Sequence, residues 1–515
     1  MSHIPTLLQQ ALKHHQQAQF HLAEDLYRQV LKLDARQFDA WHLLGVIAQQ
    51  KSDHESAVQL FGKALSIDAN QAKLHCHLGS SLQALGRTNE ALACYERALA
   101  LQSDYAMAWN NRGNALRSVG QLAAALDSFD HALKYNNQTP GTWINRGLCL
   151  QESDQDELAI LDFKQTLTLA PHNTDALFAL GVSLQKLGQV HAALDSYTQA
   201  LKSNTLQRKP YASLHINRSM MLNKLGQHAE ALLSLNLALE ATPESIKVWQ
   251  QLGHTHKHAG DDKAALHAYR QALDFCLRDQ NAEQAAQLRY FIASLEQNHI
   301  PAAAPAQYVK ELFDQYASHF DQHLHQQLAY QVPQLIWQAL QTTGCTQTQR
   351  NTLDLGCGTG LCASFLRPIS QSLIGVDLSP KMLAQADKLG AYNALVCDEI
   401  LHYLSTAPDT NFELIVAADV LVYLGALEEL FERVQTHLQN DGIFAFSVEE
   451  SLQENVRLNL NQRYAHSAAY LRQLAQRTHF EVLSLERHSG RQEAADAVIS
   501  LIVVLRKCGD STSKA

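Results

Sequence analysis

The sequence Thr352-Leu-Asp-Leu-Gly-Cys-Gly-Thr-Gly-Leu361 runs from an apolar segment into three alternating glycines and then into a helical pattern. Gly356, Gly358 and Gly360 lack a Cβ, so they permit positive φ angles and close approach of a ligand to the main chain. The next apolar segment, Leu373-Ile-Gly-Val-Asp377, ends in an acid about twenty residues further on, where a carboxylate at a strand end binds ribose hydroxyls. The two segments predict a pocket for an adenosine-type ligand.

The spacing of the glycines indicates which kind of nucleotide ligand the pocket binds. The dinucleotide fingerprint G-x-G-x-x-G would need its third glycine where Leu361 stands, and no Gly-Lys-Ser/Thr follows to make a phosphate-binding loop. Asp354 precedes the first glycine by two residues. A carboxylate there is unfavourable beside a pyrophosphate and favourable beside the ammonium of a methionine moiety. The pattern therefore favours a methionine-bearing nucleoside.

Four segments in this order resemble the motifs of class I S-adenosylmethionine-dependent methyltransferases: LDLGCGTG, LIGVDLSPKML, VCDE and FELIVAADVLVYLG. The resemblance implies S-adenosyl-L-methionine (SAM) as cofactor and a Rossmann-like α/β sheet of seven strands with an antiparallel last strand. From residue 307 the hydrophobic period also switches to alternating strands and helices. The predicted strands are 352–355, 373–377, 394–397, 413–417, 443–448, 481–485 and 498–505.

The resemblance also implies which residues bind SAM. Asp354, Gly356, Gly358 and Gly360 would flank the methionine part, and Asp377 would bind the ribose. Further residues expected around the cofactor are Leu378 on the adenine face, Asp398 at the adenine amino group, Ala418 near the sulfonium, and Cys357 and Cys397 as small apolar lining. For Glu399 and Asp419, the sequence is equally compatible with a solvated or helix-capping role and with a direct contact to the cofactor.

The segment Phe313-Asp-Gln-Tyr-Ala-Ser-His-Phe-Asp321 resembles the amino-terminal lid of small-molecule methyltransferases that act on quinones, malonyl thioesters and similar acceptors. Tyr316 and Phe320 lie four residues apart, on one face of a helix. Such pairs usually pack into a core. In a lid they would instead help to cover the cofactor.

An acceptor pocket is expected at Asn461-Gln-Arg-Tyr-Ala-His-Ser467, between the fifth strand and a helix. Arg463 would bind a carboxylate through two parallel hydrogen bonds. His466 is the candidate general base, and equally a residue at the start of a helix. Tyr464 and Tyr423 complete the predicted acceptor residues.

The amino-terminal part has a period of thirty-four residues, seen in Gly45, Gly79, Gly113, Gly147 and Gly181. An alanine and, four residues later, usually an aromatic residue keep the same period, as in Ala23 and Tyr27. Over about residues 4–279 this resembles eight tetratricopeptide repeats (TPR), each a helical hairpin. The glycine and alanine would let the two helices approach, and the aromatic side chains would fill the gap to the next unit. Unit seven departs from the pattern, with Ser219 in place of glycine.

The repeats suggest a partner-binding surface. Stacked hairpins form a concave face that commonly binds extended peptides. Asn111, Asn145 and Asn217 occupy one position of their repeats, and an asparagine can hold a peptide backbone through its donor and its acceptor. They are the candidate partner-binding residues for a protein or peptide. The alternative is that they are solvated polar residues of an inner helix.

The predicted architecture is an all-α TPR solenoid at 1–279, a capping helix at 280–299, a linker at 300–306 and the methyltransferase domain at 307–515. A net charge of −10 and a pI of about 6.2 argue against nucleic acid as a partner. The nine scattered cysteines include no C-x-x-C pair, so neither disulfides nor a metal site is predicted. With no signal-peptide pattern and no long apolar run, a cytoplasmic protein without membrane contact is expected.

Three functions are compatible with these patterns. The first is a SAM-dependent methyltransferase of a small molecule whose repeats bind a partner. The residues after the fourth strand, Ala417-Ala-Asp-Val420, lack the Asn/Asp-Pro-Pro-Tyr of enzymes that methylate amino groups. This favours O-methylation first, and C- or S-methylation after it. The second is a protein methyltransferase whose groove holds the substrate polypeptide, and the third is a non-catalytic adaptor with a SAM-binding domain.

Overall fold

A computed structural model describes most of the chain. The described residues are 3–203, 211–317, 330–347, 350–407, 411–452, 455–493 and 496–509. The chain divides into two compact units, Met1–Pro243 and Glu244–Ala515. Within the described ranges, none of the helices is both long and apolar enough to cross a membrane. The domain bounds given above stay a prediction.

The described part of the first unit consists of consecutive antiparallel helical hairpins, as the repeat period predicts. Their helices are α1 His3–Gln16, α2 Phe20–Leu33, α3 Phe38–Gln50, α4 His54–Leu65, α5 Ala72–Ala84, α6 Thr88–Leu101, α7 Ala106–Ser118, α8 Leu122–Tyr135, α9 Pro140–Glu152, α10 Asp156–Leu169, α11 Thr174–Lys186, α12 Val190–Ser203, α13 Tyr211–Lys224 and α14 His228–Ala241. Three tryptophans, Trp41, Trp109 and Trp143, bond their hairpins to the preceding turn. For example, the Trp109 indole N–H donates to the Ser103 carbonyl at 2.8 Å.

The periodic glycines and aromatic residues pack on each other inside one hairpin. A Cβ on Gly113 would lie 2.6 Å from the ring of Phe129, and one on Gly147 would lie 2.6 Å from the ring of Phe163. The aromatic ring therefore fills the space above its own glycine, which refines the expectation that it fills the gap to the next unit. The ring of Phe61 does both, since it also meets His77 of the next hairpin at 5.9 Å.

The second unit begins with one more helical hairpin and a capping helix. Its helices are α15 Ile246–His258, α16 Asp262–Arg278, α17 Ala282–Glu296, α18 Ala306–Tyr316, α19 Val332–Thr342, α20 Ala363–Leu366, α21 Pro380–Lys388, α22 Ile400–Thr406, α23 Glu428–His437 and α24 Ala468–Arg477. Its strands are β1 Arg350–Leu355, β2 Ser370–Asp377, β3 Ala394–Cys397, β4 Phe412–Ala417, β5 Leu438–Glu450, β6 Val456–Leu458, β7 Tyr464–His466, β8 Phe480–Glu493 and β9 Asp496–Lys507.

The sheet has a parallel centre and an antiparallel edge. Strands β3, β2, β1, β4 and β5 are parallel neighbours in that order. Strand β9 runs antiparallel between β5 and β8, which confirms the expected direction of the last strand. From β1 the chain adds β2 and β3 on one side of the sheet, and it then returns to add β4 and β5 on the other side. The carboxyl ends of β1 and β4 therefore flank the position where ligands bind in open parallel sheets.

The prediction of seven strands was too low. The described residues form nine, because β6 and β7 make a small hairpin whose β7 pairs with the carboxyl end of β5. Each of these two strands has three residues. Such short segments are too brief to show an alternating pattern.

The predicted linker at 300–306 is attached to the sheet domain along most of its length. Ala303 forms an antiparallel bridge with Leu424, and the Ala302 carbonyl accepts from the Gly425 N–H at 2.7 Å. The Tyr464 hydroxyl donates to the Pro301 carbonyl at 2.7 Å. This segment is therefore part of the fold of the second unit.

Candidate cofactor and acceptor site

The glycine loop turns sharply at the end of β1. The N–H groups of Gly356 and Cys357 both donate to the Val376 carbonyl, at 2.8 and 3.0 Å. Gly356 has a φ of 67°, and a Cβ there would lie 2.5 Å from Val420, so a larger residue would clash as well as be strained. A Cβ on Gly358 would meet none of the described atoms within 4 Å. The loop thus offers bare backbone to a ligand on this side.

Asp377 links the glycine loop to the turn after β2 through its two carboxylate oxygens. Oδ2 accepts from the Gly358 N–H at 2.9 Å, and Oδ1 accepts from the Ser379 N–H at 2.8 Å. Burial raises the pKa of Asp377, and these hydrogen bonds oppose the rise. The acid therefore ties the tip of β2 to the glycine loop, and adjacent Leu378 lies half-buried.

Asp354 is held beneath the loop by a residue that sequence analysis missed. The Tyr392 hydroxyl donates to Asp354 Oδ2 at 2.7 Å, and Asp354 is 1% exposed. Burial raises the pKa of Asp354 to about 7, although the hydrogen bond lowers it. Tyr392 lies thirty-eight residues away in the loop before β3 and belongs to no recognisable pattern. Nothing in the sequence could have paired the two.

The residues after β3 form the rim of the site. Asp398 accepts from His402 Nδ1 at 2.8 Å, and its N–H donates to the Asp377 carbonyl at 3.1 Å. Glu399 caps α22 by accepting from the His402 N–H at 2.9 Å, so its capping role is confirmed. Cys397 is exposed, in contrast to the apolar lining that was expected, whereas Cys357 is buried and burial raises its pKa.

Helix α18 contacts both sides of the strand ends. The Ser379 hydroxyl donates to Asp314 at 2.5 Å, and the Phe313 ring meets the Tyr423 ring edge-on at 5.6 Å. Tyr316 ends this helix and is 46% exposed. Phe320, the other predicted lid residue, lies outside the described residues.

A network of two arginines and two acids lies beyond β4 and β5. Arg463 donates through Nε to Glu449 at 2.6 Å and through Nη2 to Asp419 at 2.7 Å. Arg491 donates to the same Glu449 oxygen at 2.6 Å. Tyr423 lies beside them, since Arg463 Nη1 is 3.4 Å from its hydroxyl. The carboxylates that Arg463 binds are thus acids of this chain, and Arg491 is a further member that the sequence did not indicate.

Asp419 belongs to this network and directly follows half-buried Ala418. Its N–H donates to the Ser447 hydroxyl at 2.8 Å, and its φ is 55°, a left-handed conformation that aspartate tolerates. Its carboxylate forms ion pairs with Arg463 and Arg491, which is neither of the two roles considered from the sequence.

Two predicted acceptor residues are buried. His466 is 0% exposed, and its Nε2 is 2.9 Å from the Gly425 carbonyl. Burial lowers its pKa to about 4. A general base must reach the acceptor, so this geometry argues against that role for His466. Tyr464 is also 0% exposed and holds the segment before α18 through its bond to Pro301.

The candidate partner-binding asparagines are half-buried on the first helices of their hairpins. Asn145 Nδ2 donates to Asn110 Oδ1 at 3.0 Å, which links two successive hairpins. Asn111 contacts the Cys76 sulfur at 3.5 Å, and Asn217 contacts the Tyr197 hydroxyl at 3.4 Å. These side chains therefore contribute to the stacking of successive hairpins.

Comparison with known families defines the class. Residues 353–444 match a family model described as a methyltransferase domain. Models for tetratricopeptide repeats match residues 8–72, 80–118, 106–139, 178–246 and 246–276. The chain therefore carries TPR repeats followed by a methyltransferase domain in an α/β sheet, as predicted.

Two curated relatives resemble part of the chain. The probable S-adenosylmethionine-dependent methyltransferase CRG1 of Saccharomyces cerevisiae is 30% identical over 106 residues, which are 19% of this chain and 35% of CRG1. An uncharacterized protein of Haemophilus influenzae is 30% identical over 112 residues, which are 20% of this chain and 43% of that protein. The chain thus spans less than half the length of either relative.

Solved structures with similarity include TPR proteins. The APC/C hetero-tetramer Cut9–Hcn1 gives a TM-score of 0.40 at 16% identity, covering 52% of this chain and 51% of that one. PilF of Pseudomonas aeruginosa gives 0.37 at 21% identity, covering 41% and 94%. YrrB, a TPR protein with an unusual peptide-binding site, gives 0.32 at 23% identity, covering 36% and 95%.

Proposed function

We propose that this protein is a SAM-dependent methyltransferase that O-methylates a small-molecule acceptor. The observation that carries the proposal is the glycine loop, which Asp377 holds through Oδ2 at Gly358, beside the buried Asp354. In this proposal Asp377 binds the ribose hydroxyls, and Asp354 attracts the ammonium of the methionine part. These two acids suit SAM better than a dinucleotide, because a buried carboxylate would repel a pyrophosphate.

The chain's contribution to methyl transfer would be alignment and exclusion of water. Bound SAM supplies an activated methyl group on a sulfonium, and its displacement is in line. Helix α18 reaches Ser379 on one side and Tyr423 on the other, so it is placed to cover the strand ends. Such a cover keeps water away from the reacting groups.

The burial of His466 bears on the kind of acceptor, because a buried histidine cannot take a proton from it. An alcohol or phenol would need to lose a proton, whereas a carboxylate is already nucleophilic. With His466 buried and its pKa lowered to about 4 by that burial, an acceptor that needs no base is favoured. We therefore place carboxylates first among the acceptors to be screened.

Calorimetric titration of the full chain with SAM and S-adenosylhomocysteine tests the cofactor site. Asp377→Ala removes the acceptor of the Gly358 and Ser379 N–H groups and the proposed ribose contact, so we expect binding to weaken at least about tenfold. Glu399→Ala is the matched control. It removes an acid on the same rim that caps α22, so we expect a small loss of stability and unchanged binding.

Absence of binding by the folded wild-type chain would contradict the enzyme proposal and the SAM-binding adaptor alike, and it would leave the repeats as a scaffold. If binding is present, a screen with labelled SAM separates the remaining alternatives. Labelling of small acceptors supports the proposal, and labelling restricted to a polypeptide would show a protein methyltransferase.

For the repeats, we propose that they bind a protein or peptide on their first helices. The inner-helix asparagines support this, because their amides retain both donor and acceptor capacity on a half-buried surface. Selection of peptide ligands against the full chain tests the proposal. Selected peptides that bind Asn145→Ala as well as wild type would contradict a role for this side chain.

A further inference from the structure

The small β6–β7 hairpin that carries Arg463 is held from outside the sheet. Two of its backbone carbonyls accept hydrogen bonds from the region of α17. The Tyr290 hydroxyl donates to the Gln462 carbonyl at 2.7 Å, and Gln297 Nε2 donates to the Leu458 carbonyl at 2.8 Å. Both carbonyls flank the turn that ends in Arg463.

Further contacts come from the segment after α17. The Tyr308 hydroxyl of α18 donates to the Gln462 side-chain oxygen at 3.2 Å, and Tyr464 bonds back to Pro301. The rings of Tyr290 and Tyr464 lie 6.0 Å apart. Leu458 and Tyr464 of the hairpin are fully buried in the same hydrophobic cluster as α16 and α17. The last helical hairpin and the β6–β7 hairpin therefore share one core.

On its other side, the turn faces the arginine and acid network. Asn459 Nδ2 donates to Glu449 at 3.2 Å, and Arg463 binds Glu449 and Asp419. Asp419 stands at the end of β4, next to the proposed sulfonium position. A displacement of the turn would pull the Arg463 guanidinium away from both acids, because the side chain and the turn move together.

We infer that α17 and α18 position Arg463 through Tyr290, Tyr308 and Gln462, so that the capped end of the repeats forms one wall of the acceptor pocket. That this pocket binds a methyl acceptor rests on the proposed function. The contacts that position Arg463 do not depend on it. Tyr290 and Tyr308 are positioning residues in this scheme. The capping helix α17 thus has a role in the site itself.

The test measures how fast phenylglyoxal modifies individual arginines of the full chain with S-adenosylhomocysteine present, by peptide mass mapping. Tyr290→Phe combined with Tyr308→Phe removes two hydroxyl donors and keeps both rings. We expect Arg463 to react at least about fivefold faster, since two neutral hydrogen bonds to the turn are lost. Arg491 shares both acids but lies on β8, so its rate should not change.

Tyr269→Phe is the matched control. It removes a buried hydroxyl from the same cluster, but that hydroxyl contacts His254 rather than the β6–β7 hairpin. We expect no change at Arg463. An unchanged Arg463 rate in the double variant, or equal acceleration of Arg463 and Arg491, would overturn the inference. If Arg463 alone reacts faster in the double variant but the protein does not bind S-adenosylhomocysteine, the positioning of Arg463 by α17 and α18 is supported and the proposed function is contradicted.

Discussion

At the scale of single residues, we expect the protonation of Asp354 to control ligand binding at the candidate cofactor site. Burial raises its pKa to about 7, so near neutral pH the carboxyl group is about half protonated in the unliganded protein. The proposed ammonium partner favours the ionised form. Binding below pH 7 must therefore release a proton, and affinity should fall as the pH falls.

We expect the affinity for S-adenosylhomocysteine to rise about fivefold to tenfold between pH 6 and pH 7.5, because the ionised fraction of Asp354 rises by that factor. Calorimetry at each pH in two buffers of different ionisation enthalpy measures both the affinity and the proton release. Asp354→Asn should bind more weakly and without this pH dependence. A wild-type affinity that is flat over the range would show that Asp354 does not contact the ligand's ammonium.

At the scale of elements, the repeat hairpins depend on a pairing of glycine with an aromatic ring. Hairpin seven lacks both members of the pair, since Ser219 replaces the glycine and Leu235 replaces the ring. The two features are therefore lost together, as expected if they depend on each other. Both residues are fully buried there. At the amino end, Ala11 stands at the glycine position although Tyr27 is aromatic. The close pairing of a glycine with a ring thus holds in hairpins two to six and in the hairpin α15–α16.

Gly113→Ala is expected to lower the free energy of unfolding by about 1–2 kcal/mol. Its Cβ would overlap the Phe129 ring, and overpacking exceeds the gain in helix propensity. Gly62→Ala is the matched control, because this helical glycine is exposed and has open space around its Cβ position. It should stabilise by about 0.5–1 kcal/mol. Urea denaturation followed by circular dichroism measures both; equal effects of the two substitutions would contradict the pairing.

At the scale of the whole molecule, the compact unit that contains the sheet begins well before it. The second unit starts at Glu244 and includes the hairpin α15–α16 with its capping helix α17. Residues 301–304, which the sequence predicts as linker, are bonded to the segment after β4 and to Tyr464. The last helical hairpin and the methyltransferase domain therefore belong to one compact unit.

A chain that begins at Pro301 is expected to melt at a lower temperature than one that begins at Glu244, or to aggregate. It lacks α17, so Leu458 and Tyr464, both fully buried in the intact unit, become exposed. Differential scanning calorimetry of the two chains, together with S-adenosylhomocysteine binding, measures the difference. Equal melting temperatures would mean that α17 contributes little to this core.

The sequence by itself determined the parts of the protein that rest on short-range order. The thirty-four-residue period predicted the hairpins, because each repeat uses the same local packing. The alternating glycines and the acid that ends β2 predicted the loop, since positive φ angles and a strand-end carboxylate are encoded within a few residues of each other.

Only the tertiary structure decided what depends on contacts between distant segments. Tyr392 meets Asp354 across thirty-eight residues, and Tyr290 meets Gln462 across 172. The burial of His466 and the pairing of Arg463 with acids of its own chain also arise when the sheet brings strand ends together. A side chain's type shows what it can bind, but which partner it binds depends on the packing of the whole unit.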